Sequence, residues 1–243
     1  VFNNYQHLDG GILILGLIYF SVQIYCDFSG YSDIAIGTSK LFGFELISNF
    51  KFPYFSRNIG EFWKRWHISL SSWFRDYIYI PLGGSKVGTF LSIRNIFIIF
   101  VLSGLWHGAK FKFILWGFIH AILFIPLFFK NHHRKYNMGI VAKDGRFPNL
   151  KELFLMVKTF IITTITWTFF RSENIYTACE YISRIVTEIK FPASNRSGIL
   201  LILIMFFMDW SFRKSERKVL NVKSFALRYL AFLVISLSII LNF

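Results

Sequence analysis

The 243-residue chain is 54% apolar, 20% aromatic and 16% charged, against about 45–50% apolar and about 25% charged in an ordinary soluble domain. No soluble interior of this size can hide 31 phenylalanines, so a soluble enzyme, a disordered tail and a collagen-like fibre are excluded, and an integral membrane protein remains. The net charge of +14 is not a nucleic-acid footprint, because its cations fall in stretches (51–94, 130–158, 209–228) that alternate with apolar runs, as in the loops of a multi-pass protein. Lipid headgroups, not nucleic acid, are then the expected counter-charge.

In chain order, the apolar runs are residues 10–26, 96–109, 113–129, 153–170 (interrupted only by Lys158), 198–208 and 229–243. Those at 10–26, 113–129 and 153–170 approach the length of about 20 that a crossing needs. The runs at 96–109 and 198–208 are too short to cross alone, which predicts half-helices or re-entrant pieces shielded by protein. The run at 229–243 reads as a truncated span. The basic loops at 130–152 and 211–228 place their side in the cytoplasm by the positive-inside bias. His132 and His133, beside Lys130, Arg134 and Lys135, read as a solvated loop. Cys26 and Cys179 are far apart and offer neither a disulfide framework nor metal spacing. The chain starts at Val1 and stops within an apolar run, so it reads as a piece of a longer protein.

Between the first two runs, residues 57–80 place Phe62, Trp66, Leu70, Trp73 and Tyr77 at spacings of three and four. This predicts one basic helix with an aromatic stripe lying in the membrane interface, ended by Pro81 and the pair Gly83-Gly84.

Few side chains are equipped for chemistry. His107 sits between Gly104 and Gly108 at the end of an apolar run, and an ionisable group at membrane depth is a functional candidate by default. His67 reads either as an interfacial histidine or as a second polar group aimed at the same chamber. His120, inside an apolar run, reads at least as readily as a packed, hydrogen-bonded ring. Asp27 and Asp33 follow the first run, with Arg57, Lys64, Arg65 and Arg75 as partners if they are buried. A Walker loop, a dinucleotide fingerprint, zinc spacing and a Gly-x-Ser-x-Gly elbow are all missing, which argues against an ATP-driven pump, a redox enzyme and a serine hydrolase.

The segments YCDFSGYSDIAIG (25–37), NFKFPYFSRNIGEFWKRWHISLSSWFRDYIYIPLGG (49–84), SGLWHGAKFKFILWGFIH (103–120) and WTFFRSENIYTACEYI (167–182) resemble the membrane-bound O-acyltransferases. The branch most similar is the bacterial alginate O-acetyltransferase type, related to the D-alanyl transfer protein of teichoic acid modification. The resemblance implies an all-α, polytopic membrane bundle with interfacial and re-entrant helices. Residues 1–243 would form one membrane domain, the C-terminal part of such a protein, with its N-terminal helices missing. It further implies acyl transfer, of acetyl above all, through a tunnel in the bilayer toward a cell-surface polysaccharide or an extracytoplasmic partner protein. The expected location is the inner or plasma membrane, crossed several times.

The family's invariant histidine falls on His107, expected as general base on the acceptor hydroxyl, and its second polar position falls on His67, expected to orient the acceptor or polarise the carbonyl. Trp66, Trp106, Asp27, Tyr31 and Arg75, in the same motifs, are the expected substrate-binding residues. No bound cofactor or metal is expected; the acyl donor would be acetyl-CoA or a carrier-linked thioester, drawn electrostatically to the basic loops. A transporter, suggested by the short apolar runs, and a non-catalytic scaffold for an acyl-transfer complex are the competing readings.

Overall fold

In the computed structural model, residues 1–129, 139–143, 145–188, 190, 192 and 196–214 are described. The expected span at 229–243 and the histidines of the 130–135 loop lie outside them. Eight α-helices are present among the described residues: α1 (Gly10–Leu41), α2 (Ile59–Arg65), α3 (Ile68–Phe74), α4 (Thr89–His107), α5 (Phe111–Phe129), α6 (Leu150–Arg171), α7 (Ile175–Thr187) and α8 (Ile199–Phe212). No strand is found among them. The all-α membrane fold is as expected. Four helices, α1, α4, α5 and α6, are long and apolar enough to cross a bilayer.

Local chemistry sets several helix starts. Asn58, Asn149 and Asn174 each accept, through the side chain, the backbone N–H three residues on, at 2.8–2.9 Å. In α2 and α6 the third residue is an acid, Glu61 or Glu152, which suits the positive end of the helix dipole.

The structure corrects the reading of residues 96–109 as too short to cross. The helix starts at Thr89, so α4 has 19 residues and carries Arg94 in its second turn. The Arg94 guanidinium reaches the Asn95 side-chain oxygen at 3.0 Å, and Asn95 in turn donates to the Leu82 carbonyl at 3.0 Å. A charge that ends an apolar run therefore need not end a helix. The 198–208 run does form a short helix, the 14-residue α8.

The single interfacial helix at 57–80 is also overturned. The segment breaks at His67, which adopts a left-handed backbone (φ 44°, ψ 56°) between α2 and α3. A π-helical turn, Arg75–Tyr79, follows α3. The break splits the predicted stripe: Phe62 and Trp66 are buried, whereas Trp73 and Tyr77 are exposed. Trp66 does not dock to a membrane surface. It packs against Phe50, Phe62 and Trp167 at ring separations of 5.0–5.5 Å.

The core is aromatic. Tyr25 (α1), Tyr54, Phe62, Trp66, Trp116 (α5) and Trp167 (α6) form one buried cluster, with Trp116 and Trp167 stacked at 5.6 Å. Beneath it, Glu61 lies between two guanidiniums, Arg57 at 2.9 Å and Arg65 at 2.8 Å, and all three side chains are buried. Arg57 also reaches Glu152 at 2.9 Å, tying α2 to the start of α6. These arginines therefore answer Glu61, not the predicted Asp27 and Asp33, which are exposed.

Helices α4 and α5 form an antiparallel hairpin in which backbones touch. A Cβ at Gly104 would sit 2.2 Å from the Phe113 carbonyl oxygen, and one at Gly117 would sit 2.2 Å from that of Phe100. Small residues at such crossings let membrane helices approach closely. Gly117→Ala is expected to push α4 and α5 apart at a cost of about 1–3 kcal/mol. Trp66→Ala, in the core, is expected to cost about 3–5 kcal/mol. Thermal unfolding of the full-length protein in detergent measures both.

Candidate active site

Three segments distant in sequence place His67 and His107 together. His107 is the last residue of α4, where Gly108 (φ 154°) turns the chain toward α5. Four aromatic side chains surround its half-buried ring: Trp106 at 4.9 Å, Phe170 at 5.0 Å, Trp116 at 5.6 Å and Phe113 at 6.4 Å. Neither ring nitrogen has a hydrogen-bond partner among the described residues, and no carboxylate there pairs with it. Lys112 fixes one wall by donating to the Phe170 carbonyl at 3.0 Å and the Ser172 carbonyl at 2.6 Å, at the end of α6.

His67 approaches from the other side. Its ring meets Phe28 of α1 edge-on at 4.6 Å and Trp106 at 5.9 Å, so Trp106 touches both histidines. The two imidazoles are close enough to interact electrostatically. His67 lies outside the four long helices. Burial first, and then the neighbouring His107, push its ring down to about 4, so it is neutral at pH 7.

His120 is different in kind. The Trp63 indole N–H donates to its Nδ1 at 3.3 Å, and its Nε2 lies 3.0 Å from the Thr166 hydroxyl. An indole can only donate, so Nδ1 accepts and Nε2 carries the proton toward Thr166. Both nitrogens are used and the side chain is buried, which agrees with the packed reading.

The structure sorts the expected substrate-binding residues. Trp106 joins the pair and is 59% exposed. Trp66 is adjacent in sequence to His67 but points into the core. Asp27 and Tyr31 are exposed on α1, apart from the ring contacts that surround the two histidines. Arg75 is exposed and engages its neighbour Asp76 at 2.7 Å, whose carboxyl it holds below the usual range. Phe28, Trp116 and Phe170 were missed as site residues. Nothing in their spacing separates a wall of the site from the core they also serve. A cavity of about 410 Å³ lies elsewhere, between residues 1–4, α1 and Arg171, and neither His67 nor His107 lines it.

The family model for membrane-bound O-acyltransferases matches residues 9–170, which is most of the chain and includes both histidines. The chain belongs to that family. Among relatives of this membrane-bound O-acyltransferase chain, the "Probable alginate O-acetylase AlgI" of Pseudomonas putida is 43% identical over 173 residues, covering 71% of this chain and 33% of the relative. The peptidoglycan O-acetyltransferase of Helicobacter pylori is 39% identical, covering 69% and 30%. The teichoic acid D-alanyltransferase of Bacillus subtilis is 38% identical, covering 48% and 32%. The chain thus spans about a third of the length of the curated relatives it matches.

Because Trp106 is largely exposed, Trp106→Ala is expected to lower stability by no more than about 1 kcal/mol, the scale of a lost aromatic contact. The unfolding assay used for Trp66→Ala distinguishes the site tryptophan from the core tryptophan.

Proposed function

We propose that the full-length protein is a multi-pass membrane O-acyltransferase of the bacterial cell membrane. It moves an acyl group, acetyl by its relatives' names, from a cytoplasmic thioester to a hydroxyl on a cell-surface polysaccharide or on an extracytoplasmic partner that passes it on. The observation that carries this reading is the placement of His107 beside His67. Two imidazoles from separate segments meet around one exposed tryptophan, and no described residue occupies the His107 ring nitrogens, which leaves them open for a substrate.

The chemistry follows from that placement. The His107 imidazole takes the proton of the acceptor hydroxyl as its oxygen attacks the thioester carbonyl. The C–S bond then breaks and the proton is passed to the departing thiolate, leaving an ester and a free thiol. Such a general base contributes about 10²–10⁴-fold. The aromatic wall keeps water from competing for the acyl group. Acetyl-CoA or a carrier-linked thioester has the required donor chemistry. The basic residues of the chain would attract either donor's negative charge.

His107→Ala in the full-length protein is expected to lower O-acetyl content of the surface glycans by about 10²–10⁴-fold, at equal protein in the membrane. Mass analysis of those glycans measures it. Undiminished acetylation overturns the assignment and favours a scaffold. Solute flux in proteoliposomes without acyl transfer favours a transporter.

A further inference from the structure

His67 has a second partner, set by Asn49 at the start of the same motif segment that carries the histidine. Asn49 lies between α1 and α2 and is folded back against the start of α3. Its backbone carbonyl accepts the Ile68 N–H at 3.0 Å. Its side-chain oxygen accepts the Ser69 N–H at 3.2 Å and the Ser69 hydroxyl at 2.6 Å. Its side-chain nitrogen donates to the Ser32 hydroxyl of α1 at 3.3 Å. Ser69 Oγ in turn lies 3.4 Å from His67 Nδ1.

The donors and acceptors in this chain have only one consistent order. A backbone N–H can only donate, so the Asn49 atom facing Ser69 is the oxygen. That oxygen also takes the only proton of the Ser69 hydroxyl, through the shortest bond of the set. The hydroxyl then has only lone pairs to offer His67, so Nδ1 must be the donor. One proton on a neutral imidazole leaves Nε2 with a free lone pair. Nε2 has no partner among the described residues. The arrangement at His120 is opposite, with the proton on Nε2, so the two rings are set independently by their partners.

We propose that Ser69, oriented by Asn49, holds His67 in the Nδ1–H tautomer, so that Nε2 accepts a hydrogen bond from a second hydroxyl of the acceptor, beside the one whose only proton His107 takes. His67 then positions the acceptor and does not donate to the thioester carbonyl, which separates the two roles its motif left open. Asn49 and Ser69 are positioning residues, because they act only through His67. The functional half of this inference rests on the acyl-transfer reading; the tautomer does not. The left-handed backbone of His67 is held by the same Asn49, whose three bonds to residues 68 and 69 fix the turn.

The test has a spectroscopic and a functional arm, both on the full-length protein. With ¹⁵N-labelled histidine, the His67 resonances are assigned by their loss in His67→Gln. The native protein is expected to show the Nδ1–H tautomer, a result that needs no variant other than the assignment control. Ser69→Ala is expected to release it and Ser69→Thr to restore it. An Nε2–H ring in the native protein, or no change in Ser69→Ala, overturns the proposal.

In cells, Ser69→Ala is expected to lower surface-glycan O-acetyl content about ten- to a hundredfold, the range seen when the outer partner of a metal-bound imidazole is removed. Ser69→Thr is expected to restore it at equal protein in the membrane. Undiminished acetylation in Ser69→Ala overturns the positioning role even where the tautomer is as expected. Measured alongside, His107→Ala separates the two readings: acetylation that survives it removes the acyl-transfer reading and the functional half with it, while the tautomer result stands by itself.

Discussion

The candidate site depends on one backbone choice, the left-handed conformation of His67. Residues without β-branching pay a modest cost to enter this region, and few do so outside turns and functional sites. Here the reversal sends two adjacent side chains in opposite directions. Trp66 enters the aromatic core against Trp167, while His67 turns to Phe28 and Trp106. An uninterrupted helix would set the two side chains only about 100° apart around its axis. The buried Arg57–Glu61–Arg65 cluster on one side and the Asn49 bonds on the other anchor the two short helices that flank the reversal. A seven-residue helix is not stable by itself, so these anchors decide its position.

The division of labour among the three described intramembrane or half-buried histidines follows from their partners. His120 has both nitrogens engaged and functions as a strut between α2, α5 and α6. His67 has one nitrogen engaged. His107 has neither engaged among the described residues, and its neighbours there are rings that shape space without claiming its lone pair. Availability rises in the order in which chemistry would need it.

Much of the architecture was legible from composition and run length, because a chain crowded with phenylalanine and sparing of charge has few folded alternatives. The family motifs pointed to both histidines. Three things were not legible. Arg94 hid the true start of α4, since a lone cation near a helix end is tolerated when it finds a polar neighbour such as Asn95. The periodicity of residues 57–80 is compatible with a continuous helix, and the energy that breaks it comes from tertiary bonds to Asn49, outside the segment. Asp27 and Asp33 stood out as acids at the end of an apolar run, while the acid that is buried, Glu61, sat unremarked among arginines. Exposure and pairing are properties of the assembled bundle, and neither Trp66 nor Trp106 announces in its flanking residues which of the two faces inward.

Glycines 104 and 117 let the peptide backbones of α4 and α5 lie against each other with no side chain between them. Such a seam has little slack, so the two helices must move as one body. His107, at its tip, inherits that rigidity. Its ring would keep a constant attitude toward Trp116 and Phe113, both carried by α5, whereas its relation to Phe28 depends on how α1 packs, outside the seam.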